Sequence, residues 1–302
     1  MSRRRRRIAG LAAVALLALL AFLILTRPRA FETGPLPPAS ADLANGELVF
    51  RVGGCLACHA APAGTPGAER ALPTGGTPLP TPVGTFYPGN LTPDRETGLG
   101  GWTEAEFLTA MVHGVSPDRR HYFPAFPYRA YAVARSEDLR DLWAYLRQLP
   151  AVRAPGRAAE IPLLPLARRT VGLWKRLAGD PRPPAADPAQ SAAWNRGAYL
   201  VHGPGHCGEC HTPRNLLRIR DERRALAGGA HPAGEGKVPS LRGLVARHRY
   251  KDAAELALAL QFGETLGYDK LASGGMGAIQ TELSQLPPAE LRAIAEYLVS
   301  LP

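Results

Sequence analysis

Apolar positions are arranged along the chain in three different ways, and each predicts a different kind of element. The first is a continuous run. Residues 8–26 are 19 uncharged, mostly apolar positions that directly follow five arginines at 3–7. About 20 such residues cross the hydrocarbon core of a bilayer as a helix, whereas the apolar part of a secretory signal is about 7–15 long. Positive residues stay on the cytoplasmic side, so the run predicts a transmembrane helix with everything after Thr26 in the periplasm. A cleaved signal peptide is the alternative. Arg27-Pro28-Arg29-Ala30 lacks the small-x-small pattern of a cleavage site, which argues for a retained anchor in a bacterial cytoplasmic membrane.

The second arrangement is helical periodicity in short segments that recur in the same order. Asn45-Gly46-Glu47-Leu48-Val49-Phe50 and Arg196-Gly197-Ala198-Tyr199-Leu200-Val201 read as short helices. Thr103 and Glu106 form a capping-box pattern ahead of apolar Phe107, Leu108 and Met111, and Gly114 stops the helix. Asp252, Glu255, Leu256, Leu260 and Gly263 repeat it, with cap and stop 11 positions apart in both copies. Residues 139–150 (LRDLWAYLRQLP) align without gaps with 291–302 (LRAIAEYLVSLP). His59 to Tyr145 and His211 to Tyr297 both span 86 positions, which marks a duplication. Each unit reads as a helix, a short His-containing motif, a long loop, a helix, a further loop and a terminal helix. Gly46 lets the outer helices of the first unit cross near Leu142 and Tyr145, and Gly197 does the same near Ile294 and Tyr297.

The third arrangement is an interrupted one. Residues 153–190 are rich in Pro, Ala and Arg, and their apolar stretch at 161–177, with Trp174, is too broken to span a membrane. It predicts a linker that packs across the two units, while Pro-rich 27–41 forms a tether. The expected division is a membrane anchor at 1–30, a first domain at 31–152, a linker at 153–190 and a second domain at 191–302.

Composition changes little. An apolar fraction of 45% with 21% charged residues fits a folded protein, and 30 prolines with 32 glycines fit long irregular loops. Five of the ten net positive charges sit in the arginines at 3–7. No dense basic face interleaved with aromatics remains, so nucleic acid is not an expected partner.

The cysteines carry the chemistry. All four fall in two copies of one pentapeptide, Cys55-Leu56-Ala57-Cys58-His59 and Cys207-Gly208-Glu209-Cys210-His211. Cys-x-x-Cys-His is the pattern of c-type haem attachment. Two thiols add to the haem vinyl groups as thioethers, and the adjacent histidine ligates iron. Structural zinc would not require a histidine directly after both pairs. Disulfides would leave no partner cysteines outside the motifs, and a thioredoxin-like pair would need a βαβ context.

A second axial ligand is expected for a low-spin haem, often Met. Met276 lies in Ser273-Gly274-Gly275-Met276-Gly277, read as a Gly-rich loop, 13 positions after Gly263 and 21 before Tyr297. The same counts in the first unit lead to Phe123-Pro124-Ala125-Phe126-Pro127-Tyr128, which holds no methionine. Met111 sits on an apolar helix face and reads as core. His121, His113, an unusual ligand or an open five-coordinate iron remain alternatives for the first site.

The helix order around the motifs resembles the class I cytochrome c fold. The chain is more specifically similar to the cytochrome subunits of membrane-bound bacterial alcohol, aldehyde and gluconate dehydrogenases. That resemblance rests on Gly84-Thr85-Phe86-Tyr87, Asn90-Leu91-Thr92-Pro93-Asp94 through Thr97-Gly98, His113-Gly114-Val115, the segment 122–128 and GPGHCGECHTPRN at 203–215, and it covers 40–302. Those subunits carry three haem domains where this chain has two motifs, and they have Met where this chain has Phe126. The resemblance implies a mainly α fold of two tandem class I cytochrome c domains after an N-terminal transmembrane helix. It implies two covalently bound haem c groups held by Cys55, Cys58, His59, Cys207, Cys210 and His211, with iron ligated by His59, His211 and Met276. The expected role is electron transport from a periplasmic dehydrogenase, as a shuttle or as its subunit, to an oxidase, quinone enzyme or soluble cytochrome of a respiratory chain. A haem oxidoreductase of the peroxidase or sulfur-compound dehydrogenase type, with an open first haem, is the alternative. No cysteine is spare, which excludes cysteine ligation as a route to sulfur chemistry.

Overall fold

The computed structural model describes residues 2–29, 40–63, 65, 71–234, 236–263 and 275–302. Helix α1 (Arg3–Leu25) is capped by Ser2, whose hydroxyl accepts from the Arg5 N–H. It buries none of its residues, and Leu11, Val14, Leu17 and Ile24 are all exposed. Among the described residues it is the one helix long and apolar enough to cross a membrane, as an anchor or a signal segment would be.

The remainder is mainly α. Asp42 caps α2 (Leu43–Val52) through the Asn45 N–H, and a left-handed Gly54 then admits the single turn α3 (Cys55–His59). A small antiparallel hairpin follows, β1 (Leu79–Thr81) with β2 (Gly84–Phe86), in the register Leu79 opposite Phe86. Thr103 and Glu106 close the expected capping box on α4 (Glu104–His113), and Gly114 ends it in the left-handed region at φ 58°. Short α5 (Tyr128–Tyr131) leads to α6 (Ser136–Leu146). Val49, Phe50, Leu99, Phe107, Leu108, Met111, Tyr131, Leu139, Leu142 and Leu146 enclose one core.

After α7 (Leu164–Ala178) the order repeats with α8 (Ala192–His202), the turn α9 (Gly208–His211), a two-residue pairing of β3 (Gly229–Ala230) with β4 (Lys237–Val238), and α10 (Ala253–Phe262). Asp252 caps α10 through the Glu255 N–H, and Gly263 stops it at φ 74°. Helices α11 (Gly275–Leu283) and α12 (Pro288–Ser300) complete the chain. Their apolar faces join α8 and α10 in a second core, to which Val52 of the first unit also contributes.

The two expected glycine crossings are present. A Cβ on Gly46 would lie 2.2 Å from the Asp141 carbonyl oxygen and 2.8 Å from Tyr145 Cβ. One on Gly197 would lie 1.9 Å from the Ala293 oxygen and 3.0 Å from Tyr297 Cβ. In both units the outer helices are therefore in backbone contact.

Two local expectations change. Met276 belongs to the first turn of helix α11, not to a loop, while Ser273 and Gly274 lie outside the described residues. Tertiary packing outweighs the glycines there: Ile279 joins the second core, and the Gln280 amide donates to the Leu260 and Gln261 carbonyls at 3.1 Å, satisfying the open end of α10. The linker stretch 161–177 is mostly helical: Pro162 precedes the helix, and Pro165 falls at its second position, where no intrahelical N–H bond is lost. Its side chains bond to residues both before and after it in the chain. Lys175 Nζ donates to the His113 and Gly114 carbonyls at 2.5 and 2.8 Å, while Trp174 Nε1 donates to the Leu217 carbonyl at 2.7 Å.

Candidate functional site

One turn of helix explains the spacing inside each pentapeptide. Residues three apart on a helix share a face, so Cys55 and Cys58 on α3 sit side by side, with His59 one position on. Cys207 has helical backbone angles ahead of α9, and Cys210 and His211 follow in the same geometry. No disulfide joins any of the four cysteines. Burial pushes the Cys55 and Cys207 thiols up to about 12, and it raises Cys58 and Cys210 as well. Burial thus favours the neutral thiol in both motifs. Among the described residues no group of three or more His, Cys, Asp or Glu side chains converges on a metal position.

Both histidines are held by the same device. His59 Nδ1 donates to the Gly89 carbonyl at 2.7 Å, and His211 Nδ1 donates to the Pro239 carbonyl at 2.8 Å. A carbonyl can only accept, so the proton is on Nδ1 and the Nε2 lone pair is left for another partner. Burial lowers the pKa of both rings and keeps them neutral. Their own carbonyls match too: His59 O accepts from the Gly75 N–H at 2.7 Å and His211 O from the Gly228 N–H at 2.7 Å. Residue type alone predicts neither carbonyl partner of the imidazoles. The signal that points towards them is the Gly-Gly pair after each motif, Gly75-Gly76 and Gly228-Gly229, all four with positive φ. Two neutral thiols beside a neutral imidazole with a free Nε2 form a donor set that fits covalent haem attachment and axial ligation.

The surroundings of the two motifs differ. Beside the first, the Tyr131 hydroxyl is pushed well above its usual 10, chiefly by burial and further by Cys55 and Cys58. The Phe126 ring lies 5.9 Å from Tyr131, 5.7 Å from Tyr122 and 6.2 Å from Tyr128, in an aromatic group. Met111 is buried in the core with Phe107 and Leu108. His121 Nε2 donates to the Thr26 carbonyl at the end of α1 at 2.9 Å, and its Nδ1 is buried without a hydrogen-bond partner. His113 ends α4, and its carbonyl takes the Lys175 ammonium.

In the second unit, half-buried Met276 packs on the second core, and its helix α11 lies against α2 and the attachment turn α3 of the first unit. Glu209, inside the motif, pairs with Arg214 at 2.5 Å and Arg220 at 3.0 Å, which ties the following loop back to the attachment turn. Ala57 occupies the equivalent place in the first motif. The segments entering the two motifs are in direct contact. His206, directly before Cys207, donates from Nε2 to the Gly53 carbonyl, two residues before Cys55, at 2.9 Å. Nearby, Arg51 pairs with Glu282 at 3.1 Å and the Tyr199 hydroxyl donates to Asp138 at 2.5 Å, both across the unit boundary.

No family model matches the chain. It is 42% identical over 303 residues to a protein of Cereibacter sphaeroides named "Diheme cytochrome c-type", covering 99% of both. To a subunit of the nicotinate dehydrogenase of Pseudomonas putida it is 37% identical, covering 93% of this chain and 24% of that one. To the fructose dehydrogenase cytochrome subunit of Gluconobacter japonicus it is 33% identical, covering 92% of this chain and 56% of the relative. The chain thus spans the whole of the first relative but only part of the two dehydrogenase subunits.

Proposed function

The chain belongs to the dihaem c-type cytochromes, and from that premise we propose that it is a membrane-anchored carrier passing electrons from a periplasmic dehydrogenase to a respiratory acceptor. In this reading residues 31–152 and 191–302 are tandem class I cytochrome c domains, joined by 153–190 and held to the membrane by 1–30. Cys55 and Cys58 attach one haem and Cys207 and Cys210 the other, with His59 and His211 as axial ligands and Met276 as the sixth ligand of the second iron. Haem iron, cycling between ferrous and ferric, supplies the one-electron chemistry.

The chain's own residues do the rest. The carbonyl bonds of His59 and His211 orient each ring and raise the basicity of its free nitrogen, the usual office of a ligand's outer partner. The single helical turns set each thiol pair on one side. The His206–Gly53 bond and the Arg51–Glu282 pair hold the two attachment segments against one another, a layout suited to passing electrons between them. An anchor raises the effective concentration near membrane-bound partners.

The observation that carries the reading is the repeated one: a neutral imidazole fixed through Nδ1 beside a one-turn thiol pair, twice in one chain. Two relatives are named as subunits of dehydrogenases, which favours a dehydrogenase donor. The test is purification of the full chain in mild detergent. A mass increased by two haems, with a flavin- or quinone-dependent catalytic chain co-eluting, is the expected result. Free thiols and no covalent haem would refute it.

A further inference from the structure

Helix α7 carries a feature that electron transfer does not use. Its buried side, around Val171 and Gly172, packs on the body of the protein. Leu166, Leu173 and Leu177 sit seven and eleven positions apart, which places them on one stripe of a helix, and they are 55, 39 and 61% exposed. Leu163, just before the helix, is also exposed, as are Leu216 and Leu217, the latter held to α7 by the Trp174 bond to its carbonyl. Exposed leucines in a continuous patch mark a surface that meets something apolar.

The same helix receives the end of α1. Thr26, at the C-cap of α1, is fully buried against Gly172, where a Cβ would fall 2.8 Å from Thr26 Cα and 2.8 Å from His121 Nε2. Arg169 donates to the Leu23 carbonyl at 2.8 Å and Arg176 to the Leu25 carbonyl at 2.5 Å. These carbonyls belong to the last turn of α1, which has no intrahelical partners and bears the negative end of the helix dipole. The arginines and His121 therefore clasp α1 where its apolar run ends.

From this juxtaposition we propose that α7 lies on the outer surface of the membrane, with its leucine stripe in the bilayer interface. The inference rests on the reading of α1 as a retained span. If α1 crosses the bilayer, its end marks headgroup depth, and α7 is fixed to that end. The composition of α7 suits the position: it has no acidic residue, its Arg169 and Arg176 bond to the end of α1 while Lys175 bonds inward, and its leucines lie on another, exposed stripe next to Trp174. Lipid is favoured over a protein partner because α7 is bonded to the very end of α1, where its apolar run stops.

The test uses the full haem-loaded chain in vesicles of phosphatidylethanolamine and phosphatidylglycerol. Nitroxides are attached at Leu173→Cys and Leu177→Cys, at Leu16→Cys within α1, and at exposed Glu96→Cys as an aqueous reference. Collision with oxygen, which concentrates in hydrocarbon, is compared with collision with a water-soluble nickel chelate. At 173 and 177 the oxygen-to-nickel ratio should rise severalfold above that at 96, towards that at 16. A lipid-like position 16 with water-like 173 and 177 would overturn this inference and leave the anchor standing. Shielding of 173 and 177 from both reagents would assign the stripe to a protein neighbour and also overturn it. A water-like position 16 would remove the anchor reading, and this inference with it.

Discussion

The two repeat units share a skeleton and diverge in the residues set around it. Both cross their outer helices at a glycine, cap the middle helix with a side-chain oxygen, stop it at a left-handed glycine, and bind the motif histidine to a backbone carbonyl. Yet the first unit sets Phe126 in a ring of tyrosines where the second has Met276 on α11, and the second alone places a carboxylate, Glu209, within its motif. Features that build the unit are kept in both copies, whereas those that would tune an iron centre differ. The units are thus equivalent as scaffolds and unequal in the residues set around them.

Removing the thiols should have the greatest consequence for either unit. The double change Cys55→Ala/Cys58→Ala should remove one haem mass from the denatured chain, and Cys207→Ala/Cys210→Ala should remove the other. A variant that lost both, or neither, would end the assignment of one haem per motif. Next is Met111→Ala, which should cost about 2–5 kcal/mol in denaturant unfolding, as loss of a buried core methionine does, and leave the haem spectrum essentially unchanged. A spectral change of the low-spin type would instead make Met111 a ligand.

Equivalence as scaffolds is tested by Gly46→Ala and Gly197→Ala. Each Cβ would press on a backbone oxygen about 2 Å away, so each should destabilise its unit by about 1–3 kcal/mol, at the upper end of that range. A large loss at one site and none at the other would show that the crossings differ. The smallest effect concerns the joint between the units. Burial holds the His206 pKa below its usual 6.5, so the folded protein favours the neutral ring. Stability from this site is present above pH 6.5 and is lost as pH falls through the lower folded value. His206→Asn, chosen because Asn tolerates the positive φ of 39°, should cost about 0.5–1.5 kcal/mol at pH 7.5 and weaken the acid dependence of the urea midpoint. An unchanged acid slope would remove His206 from the joint.

Much of this skeleton was legible because local chemistry specifies it. Thr103 and Asp252 are side-chain caps, Gly114 and Gly263 take left-handed angles, and Gly46 and Gly197 permit backbone contact, all readable from residue type and spacing. What escaped depends on distant backbone. The Gly89 and Pro239 carbonyls that hold the histidines carry no side-chain signature, although the paired glycines that bend the chain past each histidine do. Helix α11 was hidden by its glycines, since the forces that fold it, Ile279 in the core and Gln280 on the end of α10, come from elsewhere in the chain. Helix α7 was hidden by its arginines, which read as linker composition but serve partly as clasps for α1. The bond from His121 to Thr26 likewise depends on backbone 95 positions away in the chain.

The proposed function requires one chain to carry two covalent haems, in unequal ligand settings. The decisive experiment is a potentiometric titration of the purified full chain, followed optically and by EPR and run alongside Met276→Ala. Two c-type haems with separate midpoint potentials are expected. Only one of them should lose its low-spin, high-potential signal in the variant, because a neutral thioether favours ferrous iron. Two indistinguishable His/Met centres, or a spectrum that Met276→Ala leaves untouched, would contradict the unequal pair.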